Sequence, residues 1–92
     1  KEKEETITKQ PKMYNVILLN DNFTSFNFVM DILMGIFNHN PQSAEKVTLD
    51  IHNTEEGVCG IYVKTIAEVK ADKTNKLAKS NGFPLKAIVK EA

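Results

Sequence analysis

Residues 13–29 read MYNVILLNDNFTSFNFV, and this stretch decides the fold. The first seven residues are rich in apolar and β-branched side chains, which predicts a strand. Asn20, Asp21 and Asn22 follow at once, and apolar residues resume at Phe26. A turn needs only one or two such polar residues. Three adjacent hydrogen-bond acceptors therefore exceed what a turn after this strand requires.

Two helices are predicted after this loop. Apolar residues recur on one helical face from residue 26 to about residue 38, and Thr24 or Ser25 is expected to cap this helix. The sequence NHNP then breaks the helix. Asn40 as a cap and Pro41 at the first helical position predict the start of a second helix.

The remaining elements follow from similar patterns. Gly57 is expected to end the second helix, and VCGIYVK (residues 58–64) predicts a second strand. TIAE (residues 65–68) matches a capping box that begins a third helix running to about Asn81. LKAIVKEA (residues 85–92) predicts a last strand.

The order strand-helix-helix-strand-helix-strand predicts an α+β fold. We expect a two-layer sandwich in which a three-stranded antiparallel sheet carries three helices on one face. Residues 1–12, KEKEETITKQPK, contain one strong hydrophobe, Ile7. They bury too little to offset their chain entropy and are predicted to be a flexible arm. Residues 13–92 are predicted to form the single domain.

The composition excludes several classes of function. Twelve basic and twelve acidic residues among 92 give a formal net charge of zero, so the chain has no electrostatic footprint for nucleic acid or an anionic membrane. A single cysteine excludes an internal disulfide and suits a reducing cytosol. No apolar run approaches the roughly 18 residues of a membrane span.

Three acceptors could meet at the end of the first strand. Asn20 and Asp21 leave that strand, and His52 lies beside Ile51 at the edge of the apolar face of the second helix. If this helix packs near the strand end, an amide oxygen, a carboxylate and a ring nitrogen surround one spot. An ammonium group with three donors fits such a spot, and the α-amino group of a peptide is the natural candidate.

Simpler interpretations of the same residues stay open. The Asn-Asp-Asn run is compatible with an ordinary turn or cap, and His52 with a satisfied core or surface histidine. His39 is expected in a loop. Cys59 lies in mid-strand, which is typical of a small buried hydrophobe rather than a nucleophile. No ligand spacing for zinc is evident, and neither a metal nor a cofactor is expected.

Three stretches resemble one known family: residues 13–33, 51–63 and 83–85, reading MYNVILLNDNFTSFNFVMDIL, IHNTEEGVCGIYV and FPL. The family is ClpS, the bacterial adaptor that delivers N-degron substrates to the ClpA unfoldase of the ClpAP protease. The resemblance implies an adaptor, not an enzyme, that binds proteins beginning with Leu, Phe, Tyr or Trp. It implies a cytoplasmic monomer whose partners are a ClpA-type unfoldase and N-degron peptides, with no nucleic acid and no membrane.

The resemblance also implies roles for individual residues. Those expected to hold the substrate's α-amino group are Asn20, Asp21 and His52. Those expected to line a pocket for the first side chain are Leu18, Asp21, Thr24, Phe26, Val29, Thr48, Ile51 and Leu85. Those expected to contact the unfoldase are Thr65, Glu68 and Lys70. The arm resembles the extension that family members offer to the unfoldase.

The sequence departs from the family pattern at three of these residues and at Asn22, which follows Asp21. Asn22 and Thr65 stand where family members often carry an acid. Phe26 and Thr48 stand where methionine is usual, and Phe26 resembles the gate that excludes β-branched side chains. Phe26 is stiffer than methionine and Thr48 is smaller. The order in which the pocket prefers different first residues of a substrate therefore stays open.

Three functions of other classes are alternatives. A module like the C-terminal domain of the ribosomal stalk protein, which docks translation GTPases, has a similar fold. A small hydrolase using Cys59 or His52 would need a third orienting group, and none is indicated. A domain from a larger ubiquitin ligase would normally belong to a longer chain.

Overall fold

The first strand, β1, forms the middle of the sheet in the structure, a computed structural model that describes residues 11–92. The predicted arm therefore lies almost entirely outside the described residues. The elements in chain order are β1 (Met13–Leu19), α1 (Phe26–Gly35), α2 (Pro41–Thr54), β2 (Glu56–Val63), α3 (Lys64–Ser80) and β3 (Lys86–Glu91). The predicted order of strands and helices is confirmed.

The sheet has the order β2-β1-β3, and both pairings are antiparallel. Val16 is opposite Gly60 while Ile17 is opposite Val58, so Cys59 is an extra residue that forms a β-bulge. On the other side of β1, Ile17 is opposite Ile88. This arrangement confirms the predicted three-stranded antiparallel sheet.

The core lies between one face of the sheet and the three helices. Alternate residues of β1, Val16 and Leu18, are fully buried in it. Ile32 and Leu33 of α1 and Ala71 of α3 pack in the same cluster. The two-layer sandwich predicted from the sequence is therefore the observed architecture.

The predicted caps of the first two helices are present. The Ser25 hydroxyl accepts a hydrogen bond from the backbone N–H of Phe28 at 3.1 Å. The Asn40 side chain accepts from the N–H of Ser43 at 2.8 Å, and Pro41 occupies the first helical position. Ser25 rather than Thr24 is the cap of α1, because the Thr24 hydroxyl donates to Asp21 instead.

Two predicted helix ends are wrong. Helix α1 stops at Gly35, about one turn early, and Asn38 adopts a left-handed conformation with φ 59°. Phe37 is nevertheless buried, which explains why the apolar pattern extended past the helix. Helix α2 ends at Thr54 because Glu55 takes the left-handed conformation, with φ 76°. Gly57, the predicted end, is already in β2.

The capping box predicted at Thr65 and Glu68 is also wrong. Strand β2 runs directly into α3, so the N-cap position falls on Val63, which makes no side-chain cap bond. Thr65 already lies within the first helical turn. The sequence pattern was present, but the strand leaves no loop in which it could act.

Candidate functional site

A surface cavity opens at the end of β1, between the loop of residues 20–25, the start of α1 and the second half of α2. Its volume is about 390 Å³, within the range of roughly 300–1,000 Å³ that small-molecule pockets span. The residues that line it are Asn20, Asp21, Asn22, Thr24, Phe26, Val29, Thr48, Leu49, Ile51 and His52.

Asp21 fixes the shape of the loop that forms one side of this cavity. One carboxylate oxygen accepts from the backbone N–H groups of Phe23 and Thr24, both at 2.7 Å. The other oxygen accepts from the Thr24 hydroxyl, also at 2.7 Å. A carboxylate has about four acceptor positions, so one stays available to a ligand. Part of the Asn-Asp-Asn run is therefore a turn, and the same carboxylate borders the cavity.

The charge on Asp21 is stabilised by this loop. Burial acts to raise the pKa of the carboxyl group, but the hydrogen bonds from Thr24 and Phe23 outweigh it, and the pKa is lowered. The cavity therefore contains a fixed negative charge at neutral pH. Such a charge favours a cationic ligand over a neutral one of the same shape.

The end of α2 is tied to the same loop. The backbone N–H of Asn20 donates to the carbonyl of Glu55 at 2.9 Å. Glu55 is the left-handed residue that ends α2, and His52 lies in the last turn of that helix. This bond fixes the end of α2 against the loop, and His52, Asn20 and Asp21 all line the cavity.

The other part of the cavity is apolar. Val29 of α1 and Ile51 of α2 are buried and form its deep walls. Thr48 is also buried, and its hydroxyl donates to the carbonyl of Ala44 at 2.7 Å. Thr48 therefore offers no free donor to a ligand. Phe26 is 45% exposed and lies at the mouth.

The structure brings together most of the residues that the sequence analysis assigned to the site. The three predicted acceptors line the cavity, and so do Thr24, Phe26, Val29, Thr48 and Ile51. Leu18 and Leu85 do not line it. They are 0% and 5% exposed, because Leu18 faces the helices from the middle strand and both belong to the core cluster.

Two lining residues were missed, Asn22 and Leu49. Leu49 is three residues before His52 and shares its helix face, so helical spacing could have found it. Asn22 stands where family members often carry an acid, but the sequence did not predict that it lines the cavity. Its position depends on the turn that Asp21 imposes.

The residues predicted to contact an unfoldase lie on α3, away from the cavity. Thr65 and Glu68 are exposed. Lys70 is partly buried, and its ammonium group donates to the carbonyl of Ile36 at 2.7 Å. It also lies over the rings of Phe37 and Tyr62, 5.8 and 5.2 Å from their centroids. Lys70 therefore has a structural role besides any contact with a partner.

Neither of the other candidate reactive residues enters the cavity. The ring nitrogens of His39 bond the Ser43 hydroxyl at 2.7 Å and the Cys59 carbonyl at 2.6 Å, joining the segment after α1 to β2. Burial raises the pKa of the Cys59 thiol to about 12, which keeps it protonated. Within residues 11–92, no three His, Cys, Asp or Glu side chains are grouped as a metal ion would require.

A second depression lies between the end of α1 and the second half of α3. It is lined by Ile36, Lys73, Lys76, Leu77 and Ser80. Its two ammonium groups would repel a cation, and it contains no carboxylate. The chemistry of an amine ligand therefore fits the first cavity and not this one.

Comparisons with known proteins agree with the fold and with the family resemblance of the sequence. The sequence model of a family described as "ATP-dependent Clp protease adaptor protein ClpS" matches residues 9–88. The ATP-dependent Clp protease adapter protein ClpS of Helicobacter hepaticus is 46% identical over 95% of this chain and 88% of that protein. The protein of the same name from Wolinella succinogenes is 47% identical over 97% of this chain and 87% of that protein.

A solved structure is similar as well. Agrobacterium tumefaciens ClpS2 bound to L-phenylalaninamide superposes with a TM-score of 0.87 at 32% identity, covering 90% of this chain and 100% of that one. None of the comparisons supports the stalk-like alternative. Among residues 11–92, no helix combines the length and apolar character needed to cross a membrane.

Proposed function

The chain belongs to the ClpS family of Clp protease adaptors, and we propose that it captures proteins whose first residue is Leu, Phe, Tyr or Trp and delivers them to ClpA. Adaptors of this family are not enzymes; they link substrates to a Clp AAA+ machine. The observation that carries the proposal is one cavity with two chemically distinct parts. Apolar walls lie beside a cluster of acceptors that includes a fixed carboxylate.

The two parts of the cavity match the two parts of a protein's N-terminus. Asn20, Asp21 and His52 accept hydrogen bonds from the protonated α-amino group, while the first side chain enters between Val29 and Ile51. The relative from A. tumefaciens binds L-phenylalaninamide, a ligand that has a free amine and an aromatic side chain. This supports the assignment of the cavity as the substrate site.

Order-of-magnitude energies are consistent with a carrier that later releases its cargo. Burial of one Leu or Phe side chain contributes roughly 1.5–3 kcal/mol. Each good hydrogen bond to the charged amine adds roughly 1.5–3 kcal/mol, and association costs several kcal/mol. With three such bonds the favourable terms total roughly 6–12 kcal/mol, and subtracting the association cost leaves at most about −8 kcal/mol, which corresponds to a Kd on the order of micromolar or weaker.

Selectivity for a terminal residue follows from the charge. An internal Leu or Phe has an amide in place of the amine, so Asp21 would lose its charged partner while remaining partly desolvated. Phe26 at the mouth is proposed as the gate against β-branched first residues. Thr65, Glu68 and Lys70 are proposed to face the unfoldase, with delivery taking place in the bacterial cytoplasm.

The decisive experiment compares three immobilised peptides that differ only at the N-terminus: Phe, N-acetyl-Phe and Ser. Acetylation removes the charge and leaves the side chain, whereas Ser keeps the amine and removes the apolar group. Retention on the Phe peptide alone is the expected result. Equal retention on the acetylated peptide would show that the amine is not recognised and would overturn the proposal.

A further inference from the structure

Exposed apolar side chains lie at and beside the mouth of the cavity. Phe23 in the loop is 77% exposed, Phe26 at the start of α1 is 45% exposed, and Leu49 on α2 is 44% exposed. We call these three residues the apolar rim. Large exposed hydrophobes that cluster beside a pocket, rather than scattering singly, indicate a binding surface.

The backbone of Phe23 is held in place although its side chain is exposed. Its backbone N–H donates to Asp21 at 2.7 Å, and its neighbour Thr24 makes two further bonds to the same carboxylate. The residues on both sides of it, Asn22 and Thr24, line the cavity. The backbone of Phe23 is thus constrained between two lining residues, although Phe23 does not line the cavity itself.

A bound peptide has to leave the cavity through its mouth, and the exposed residues Phe26 and Leu49 line that cavity. With the α-amino group at Asn20, Asp21 and His52, the Cα atom of the second residue lies about 3.8 Å from that of the first. Successive side chains of an extended peptide point in opposite directions. The second side chain therefore emerges at the mouth instead of following the first one inward.

We propose that Phe23 and the rest of the apolar rim form a second subsite, which prefers an apolar side chain at position two of the substrate. The proposal rests on the proposed function, since it needs the first residue to occupy the cavity. The chemical class of ligand is a peptide whose first two residues are both apolar. A polar second residue leaves the rim exposed to water and gains nothing from it.

The test uses three ligands of the full chain: L-phenylalaninamide, a Phe-Leu peptide and a Phe-Ser peptide that is otherwise identical. The native protein is expected to bind the Phe-Leu peptide about threefold to tenfold more tightly than the Phe-Ser peptide. In Phe23→Ser this ratio is expected to fall towards one, and Phe23→Leu should restore most of it. Val69→Ser is the matched control, because Val69 is 59% exposed on α3 and no α3 residue lines the cavity.

The outcomes separate this proposal from the one it rests on. If native protein binds L-phenylalaninamide but does not distinguish Phe-Leu from Phe-Ser, the second subsite is wrong and the first stands. The same conclusion follows if Phe23→Ser keeps the native ratio, or if Val69→Ser loses it equally. If native protein binds none of the three ligands, the proposed function itself fails.

Discussion

Asp21 shows how one residue serves both the turn and the cavity. Its two oxygens accept three hydrogen bonds from Phe23 and Thr24, which is the ordinary behaviour of an aspartate in a turn. The same group borders the cavity as an anion whose pKa is lowered. The loop geometry and the proposed recognition of an amine therefore depend on one carboxylate.

Two substitutions separate these contributions. Asp21→Asn keeps an amide oxygen that can accept from both N–H groups, but it removes the charge. We expect it to weaken binding of a Phe-starting peptide by about tenfold or more, since the hydrogen bond to a charged partner is lost, while the free energy of unfolding changes by less than about 1 kcal/mol. Asp21→Ala should lose affinity and stability together. Fluorescence anisotropy and urea denaturation measure the two quantities.

Acid titration checks the same assignment. The pKa of Asp21 is lowered in the folded state from 3.8, so its charge contributes stability above about pH 3.8 that disappears as the pH falls further. The stability difference between native protein and Asp21→Asn should therefore shrink on acidification below that pH. An Asp21→Asn protein that binds Phe peptides as tightly as native would remove the carboxylate from the site.

The sequence predicted three hydrogen-bond acceptors for the site because simple rules fix their positions in the chain. Asn20 and Asp21 directly follow a buried strand, and His52 is at the edge of an apolar helix face. The sequence could not show that Leu18 and Leu85 are buried in the core instead of lining the cavity. Their burial depends on how closely the helices approach the sheet. Nor could it orient Asn22, which depends on the hydrogen bonds of Asp21.

At the scale of elements, the contact between α2 and β2 positions one wall of the cavity. A Cβ atom added at Gly57 would lie 2.7 Å from Ile51 Cγ1 and 3.4 Å from both Cγ1 and the carbonyl oxygen of Val47. Only a glycine in β2 allows α2 to come this close. From the sequence alone Gly57 is predicted to end α2, because glycine is also common just beyond the C-terminus of a helix.

Gly57→Ala is expected to act on stability and binding together. The added methyl group overpacks the contact with Ile51, which should reduce the free energy of unfolding by about 1–3 kcal/mol. Because Ile51 lines the cavity, affinity for L-phenylalaninamide should fall as well. Both effects can be measured on the purified variant by denaturant titration and calorimetry.

The chain offers a matched glycine for comparison. Gly35 ends α1, and a Cβ atom there would have no heavy atom within 4 Å. Gly35→Ala should therefore leave binding unchanged and raise the free energy of unfolding by about 0.4–1 kcal/mol, the usual gain when glycine is replaced at a compatible helical position. If Gly57→Ala behaved like Gly35→Ala, the close approach of α2 would not matter for the cavity.

The N-caps show why the elements themselves were largely predictable and their ends were not. Asn40 followed by Pro41 is a local pattern, and its neighbours in the chain supply everything the cap needs. Thr65 and Glu68 form an equally good local pattern, but the ladder between β1 and β2 extends to Val63. Tertiary pairing thus moved the helix start ahead of the motif, which no local rule anticipates.

At the scale of the whole molecule, α1 connects the cavity to the surface proposed to meet the unfoldase. Phe26 and Val29 near its start line the cavity. Just beyond its end, the Ile36 carbonyl accepts a hydrogen bond from Lys70 of α3. Lys70 also packs over the rings of Phe37 and Tyr62, so it joins α3 to the end of α1 and to β2.

Lys70 and Glu68 are therefore expected to respond differently to substitution. Lys70→Met removes a charge-assisted hydrogen bond and two cation–π contacts, which should reduce the free energy of unfolding by about 1.5–3 kcal/mol. Glu68 is exposed, and Glu68→Gln should change the free energy of unfolding by less than about 0.5 kcal/mol. If the surface faces the unfoldase as proposed, Glu68→Gln should slow ClpAP degradation of a Phe-starting substrate while its affinity for the Phe peptide stays native. If Glu68→Gln and Thr65→Ala support degradation at native rates, the unfoldase contact lies elsewhere. If Lys70→Met has an unchanged free energy of unfolding, Lys70 does not link α3 to α1.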